Sequence, residues 1–77
     1  VKDLVEYLAR ALVDRPDEVS VEEFEEDDGT VVFEVTVAGD DVGKVIGRNG
    51  RTVNALRTVI RAAAVRENRR VLVDVVD

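Results

Sequence analysis

The apolar positions along this chain change period three times. Over residues 2–13, Leu4, Val5, Leu8, Ala11 and Leu12 recur at helical spacing, with Asp3, Glu6 and Arg10 on the other side. This is the pattern of an amphipathic helix packed along one stripe. Pro16 is expected to end it, with residues 14–18 as a polar connection. A period of two follows. Val19 and Val21 alternate at the start of residues 19–26, but Phe24 falls out of phase, which predicts a bulge, an irregularity or an early end. Asp27-Asp28-Gly29 signals a turn. Residues 30–38 then alternate cleanly, with Val31, Phe33, Val35 and Val37 on one face and Val32, Glu34 and Thr36 on the other. Two such runs joined by a short Asp-Gly turn predict an antiparallel hairpin.

Gly39 breaks the alternation, and Asp40 or Asp41 is expected to cap a short helix with Val42, Val45 and Ile46 on its apolar side. Gly47-Arg48-Asn49-Gly50 interrupts that helix. Residues 51–66 form the longest periodic segment, with Val53, Leu56, Ile60, Ala63 and Ala64 in one stripe and Arg51, Asn54, Thr58 and Arg61 opposite. Residues 67–69 link to a last strand over 70–76, where Val71, Val73 and Val75 alternate against Leu72, Asp74 and Val76. The predicted order is α-β-β-α-α-β in a single domain over residues 1–77. The strands on either side of the helix pair are joined by a crossover, so they can lie parallel. The expected class is α+β, a three-stranded mixed sheet with three helices packed on one face.

Composition narrows the chemistry. Of 77 residues, 45% are apolar, enough for one small core. The chain has no Cys, His, Met or Trp. Without Cys there is no disulfide, thiolate nucleophile or Cys-based metal site. Without His there is no imidazole base and no Ser-His-Asp triad. Asp40-Asp41 lacks further ligands for a metal, and helix capping is the simpler reading. No enzyme activity, catalytic residue, metal, cofactor or small-molecule substrate is therefore predicted. No apolar stretch approaches the roughly 20 residues of a membrane span, and Val1-Lys2-Asp3-Leu4 lacks the basic flank and apolar core of a signal peptide. A cytoplasmic protein without a membrane partner is expected.

The net charge of −6 argues at first against a polyanionic partner. The average conceals a split: residues 1–39 carry net −9, residues 40–70 net +5 and residues 71–77 net −2. The local field decides what binds, because screening confines exposed charges to about 8–10 Å at physiological salt. The basic segment holds Gly43-Lys44-Val45-Ile46-Gly47-Arg48-Asn49-Gly50-Arg51. Two glycines there permit a tight turn and hold no Cβ against a ligand's backbone. The following helix presents its N-terminus, which favours an anion, and Lys44, Arg48 and Arg51 add cations. A P-loop fits worse, because Arg51-Thr52 replaces its Lys-Ser/Thr pair and the glycine spacing is wrong. A Rossmann fingerprint is missing its two glycines one residue apart.

Val45-Ile46-Gly47-Arg48-Asn49-Gly50, followed by aliphatic Val53 and Leu56, resembles the signature of the KH domain, a module that binds single-stranded nucleic acid. The element order resembles the type II arrangement. The resemblance covers nearly the whole chain and extends to the small bacterial KhpA family of RNA-binding proteins. It implies that the loop Gly47, Arg48, Asn49 and Gly50 clamps about four nucleotides by their backbone. It also implies an aliphatic base groove floored by Val45, Ile46 and Val53, with a share from Val35 or Val37. With Lys44, Arg51 and Asn54 at its margins, this is the candidate RNA-binding set. Replacing Gly47 and Gly50 together by Asp is expected to abolish binding and spare the fold. A role in post-transcriptional regulation or RNA chaperoning follows. The alternative implied by the same resemblance is an assembly module, a homodimer or a heterodimer with a larger Jag-type KH protein, with weak RNA binding. The Leu4-Leu8-Leu12 stripe is core in the simplest reading, and Arg57, Arg61, Arg66, Arg69 and Arg70 read as a solvated helix face and linker, with Arg61 the best exception because it shares the Arg51–Asn54 side.

Overall fold

The computed structural model describes residues 1–76. Its order is α1 (Lys2–Leu12), β1 (Ser20–Glu25), β2 (Val31–Thr36), α2 (Val42–Ile46), α3 (Arg51–Arg66) and β3 (Val71–Val76). Single 3-10 turns cover Pro16–Glu18, Gly39–Asp41 and Arg48–Gly50. β2 is the central strand, antiparallel to β1 and parallel to β3. The α2–α3 crossover is what permits the parallel pair.

Alternation in β2 and β3 turns Val31, Phe33, Val35, Val71 and Val73 to one side, where all are buried. The helices cover that side with Val5 and Ala9 from α1, Val45 from α2, and Leu56, Ile60 and Ala64 from α3. Ile60 is wholly buried, and enclosing a side chain of that size is worth about 1.5–3 kcal/mol relative to exposure. The opposite face of the sheet is open. Across it run an apolar row, Phe24–Val32–Leu72, and an acidic row, Glu22–Glu34–Asp74. The α+β class and the mixed three-stranded sheet are as expected.

Three local expectations are corrected. β1 carries no bulge: its pairing with β2 runs unbroken from Ser20↔Thr36 to Glu25↔Val31. Phe24 lies out of phase because it faces the open side, opposite Val32, and is 47% exposed. Pro16 does not end α1. The helix stops at Leu12, Val13 turns extended, and Pro16 instead opens the following 3-10 turn. Neither Asp40 nor Asp41 caps α2 with its side chain. The carboxylate of Asp41, only 2% exposed, reaches across to accept the backbone N–H groups of Asp14 (3.3 Å) and Arg15 (3.1 Å). Those donors would continue α1; Asp41 captures them, and the helix ends.

Candidate nucleic-acid interface

The corner between α2 and α3 is built on positive φ angles: Gly47 at +75°, Asn49 at +57° and Gly50 at +75°. Such angles suit Gly, and Asn tolerates them better than most residues. The turn is closed by the Gly47 N–H donating to the Gly43 carbonyl (2.8 Å) and the Gly50 N–H donating to the Gly47 carbonyl (3.1 Å).

The two glycines serve different purposes. A Cβ on Gly47 would lie 2.2 Å from Thr52 Oγ1 and 2.8 Å from the Thr52 backbone nitrogen. Gly47 is therefore a packing glycine that lets α2 abut the first turn of α3. A Cβ on Gly50 would meet only Asn54 Nδ2, at 3.7 Å. Gly50 is the residue beside which a sugar–phosphate backbone has room. The expectation that aspartate at both positions spares the fold is corrected accordingly, because at Gly47 the new side chain collides with backbone.

α3 starts with no side-chain cap and no acid in its first turn, so its partial positive charge is left uncancelled. Arg48, Asn49, Arg51 and Asn54 are exposed around it. Arg48 and Arg51 form no ion pair with the described residues, whereas Arg10, Arg15, Lys44 and Arg69 do. Arg10 pairs with Glu6 (3.1 Å), Arg15 with Glu18 and Asp40 (3.6 Å each), and Arg69 with Glu25 (2.8 Å).

The other candidates fall elsewhere. The Lys44 ammonium is held by Asp14 (2.5 Å) and Asp41 (3.5 Å). Its pKa is raised, first by the hydrogen bond to Asp14 and opposed by partial desolvation. Burial pushes the Asp41 carboxyl up, but the Asp14 and Arg15 N–H groups and Lys44 outweigh it, so the carboxyl lies below its ordinary value. Val45 is wholly buried and Val53 is 4% exposed, which leaves Ile46 as the partly exposed aliphatic beside the loop. Val35 and Val37 are core residues, Val35 on the central strand, so neither can contribute a groove wall.

The strand beside α3 is β3. Arg57 Nε and Nη2 donate to the Val73 carbonyl at 3.2 and 3.1 Å, tying helix to sheet edge. This contact was missed by reading Arg57 as solvated. Its place within the apolar stripe, four residues after Val53 and three before Ile60, was the available signal. Asp41 was missed as a long-range partner because nothing local marks it.

Comparison with known proteins agrees with this geometry. The family described as "KhpA/KhpB, KH domain" matches residues 2–75. A protein of Halalkalibacterium halodurans named "RNA-binding protein KhpA" is 53% identical, covering all of both chains. One of the same name from Clostridium acetobutylicum is 50% identical over 99% of this chain and all of its own length. A third, from Chlamydia caviae, is 40% identical over all of this chain and 97% of its own. No solved structure matches. With the α-β-β-α-α-β order, the double-glycine corner and this match across 2–75, the chain belongs to the KhpA/KhpB family of KH domains.

Proposed function

We propose that this protein binds single-stranded RNA without catalysis, in the service of post-transcriptional regulation or RNA chaperoning. One observation carries the reading: a positive-φ corner presents two arginines without an ion pair among the described residues, and the uncapped start of α3, at an open glycine. The phosphodiester chain passes over Gly50 and is held by Arg48, Arg51 and the helix N-terminus. Asn49 and Asn54 supply amide donors and acceptors for base edges or riboses. Ile46 is the aliphatic surface that a base covers. Val45 and Val53 support it from beneath, and Lys44 holds α2 in place through its carboxylate partners. The relatives' printed names point the same way.

The test is Arg48→Glu with Arg51→Glu, both at exposed sites. A labelled single-stranded octanucleotide is expected to bind at least about tenfold more weakly, with circular dichroism unchanged. Undiminished binding by the folded variant would refute the loop assignment.

A second reading, self-association, is favoured by a separate surface. Leu8, Ala11 and Leu12 of α1 and Ala55, Leu56 and Val59 of α3 line an almost wholly apolar groove of about 230 Å³. It lies on the α1 side of α3 and reaches Thr52, the residue packed against Gly47. The partner proposed is a second copy of this chain or the KH domain of a Jag-type protein.

A further inference from the structure

The proposed interface does not stop at the loop. Along α3, the flank facing the β3 edge carries Asn54, Arg57, Arg61 and Val65, successive neighbours at helical spacing. Past the point where Arg57 binds Val73, this flank opens into a cavity of about 450 Å³ between the end of α3 and the start of β3. Its walls are Arg61, Val65, Arg70 and Leu72, with Val71 beneath and Arg69 at the rim.

Arg61 is chemically unspent, and Arg70 forms no ion pair with the described residues although its charge also acts on Asp28. Both are exposed, and Arg61 likewise pairs with no acid among the described residues. Val65 is 73% exposed and Leu72 43%, though both are large and apolar. Arg69, by contrast, is occupied by Glu25. Two cations flanking an exposed aliphatic pair suit a nucleotide, phosphate on guanidinium and base on side-chain carbon.

We propose that this cavity is a second nucleotide subsite, reached by the same RNA strand after it leaves the loop; the inference rests on the RNA-binding reading above. Arg61 lies ten residues beyond Arg51, about 15 Å along the helix. That is up to about four stacked nucleotides at about 3.4 Å each. The footprint is therefore about eight nucleotides rather than four. Its far end is set by charge. Asp28, at the hairpin tip, lines the adjoining concavity with Arg70, and Glu22–Glu34–Asp74 occupies the open sheet face. Asp28 repels a polyanion beyond Arg70, so the strand ends there, while the acidic row, which meets β3 at Asp74, keeps it off the open sheet face.

The experiment compares randomised single-stranded RNA pools of four and eight nucleotides, by fluorescence anisotropy over a salt series. The parent is expected to bind octamers at least about tenfold more tightly than tetramers. Arg61→Gln with Arg70→Gln should erase that gain, leave tetramer affinity unchanged, and flatten the octamer's log–log salt slope by about 1.4, the value for two phosphates on a single strand. Amide signals of Val65 and Leu72 should move with octamer only. A parent that binds both lengths equally, or a variant that keeps the gain and the slope, overturns the second subsite while the loop stands. If the parent binds neither pool, both readings fall.

Discussion

At Gly47 a methyl group has nowhere to go, and at Gly50 it does. The first position is blocked by the Thr52 side chain and backbone nitrogen, the second by nothing nearer than 3.7 Å. Both have φ of +75°, so alanine is strained at either, by about 1–2 kcal/mol. At Gly47 the collision with Thr52 adds to that strain. Gly47→Ala is therefore expected to destabilise the fold by about 3 kcal/mol or more, and Gly50→Ala by about 1 kcal/mol. Urea unfolding of the two variants checks this, and equal losses would refute the division of roles. That both glycines matter was legible in the sequence, since Gly-Arg-Asn-Gly between two helical runs demands a sharp corner. Which one has open space beside it was not. That depends on where Thr52 and Asn54 sit once α3 has formed.

Among the α-helices, α2 is the shortest. It spans five residues, and only Val45 is fully buried. Its anchorage is electrostatic as much as apolar: Asp41 holds the Asp14 and Arg15 N–H groups, and Lys44 joins Asp41 to Asp14. Because the Asp41 pKa is lowered in the folded state, its contribution is complete above the ordinary carboxylate value of 3.8 and is lost as pH falls through the lowered one. The raised Lys44 pKa works in the opposite sense: its contribution is complete below 10.5 and is lost as pH rises through the raised value. Asp41→Asn is expected to lower Tm at neutral pH and to flatten the acid limb of the stability curve. Thermal melts from neutral to acid pH decide it, and an acid limb as steep as the parent's would disprove the anchor. Periodicity alone located α2 and its apolar residues. It could not show that residues 26 and 27 positions apart meet through Asp41, because an aspartate before a helix reads as a cap whether or not it caps.

For the whole molecule, the decisive feature is that α3 has two usable flanks. One follows the β3 edge and carries Arg57, Arg61 and Val65; the other faces α1 and carries Ala55, Val59 and Ala63. The β3 flank mixes cations with exposed aliphatics, the α1 flank is mainly apolar, and the hairpin and open sheet face concentrate eight of the seventeen acids. A net charge of −6 is compatible with a polyanionic ligand at the α2–α3 corner, because screening over about 8 Å confines each exposed charge to its own neighbourhood. If α1 and α3 supply a self-association surface, Val59→Glu, at a residue 49% exposed, should give monomers in sedimentation equilibrium with RNA affinity per chain retained. A parent that is monomeric throughout the concentration range would remove that surface from consideration.

The order of elements, the pairing class of the sheet, the core stripes of β2, β3 and α3 and the double-glycine corner were readable from the chain, because each follows from local periodicity or from a residue type that only one conformation suits. In α1 the expected Leu4-Leu8-Leu12 core is corrected, since the sheet buries Val5 and Ala9 and leaves those leucines partly exposed. The tertiary structure alone decided which cations are left without a partner among the described residues. Lys44 and Arg57 look as available as Arg48 and Arg61 in the sequence, yet the first pair is tied to carboxylates and a carbonyl brought in from distant segments. It also decided which strand borders α3 and which aliphatics keep any surface. The physical reason is one of range: helix and strand periods are set within a few residues, whereas charge pairing and exposure depend on neighbours that only the folded chain assembles.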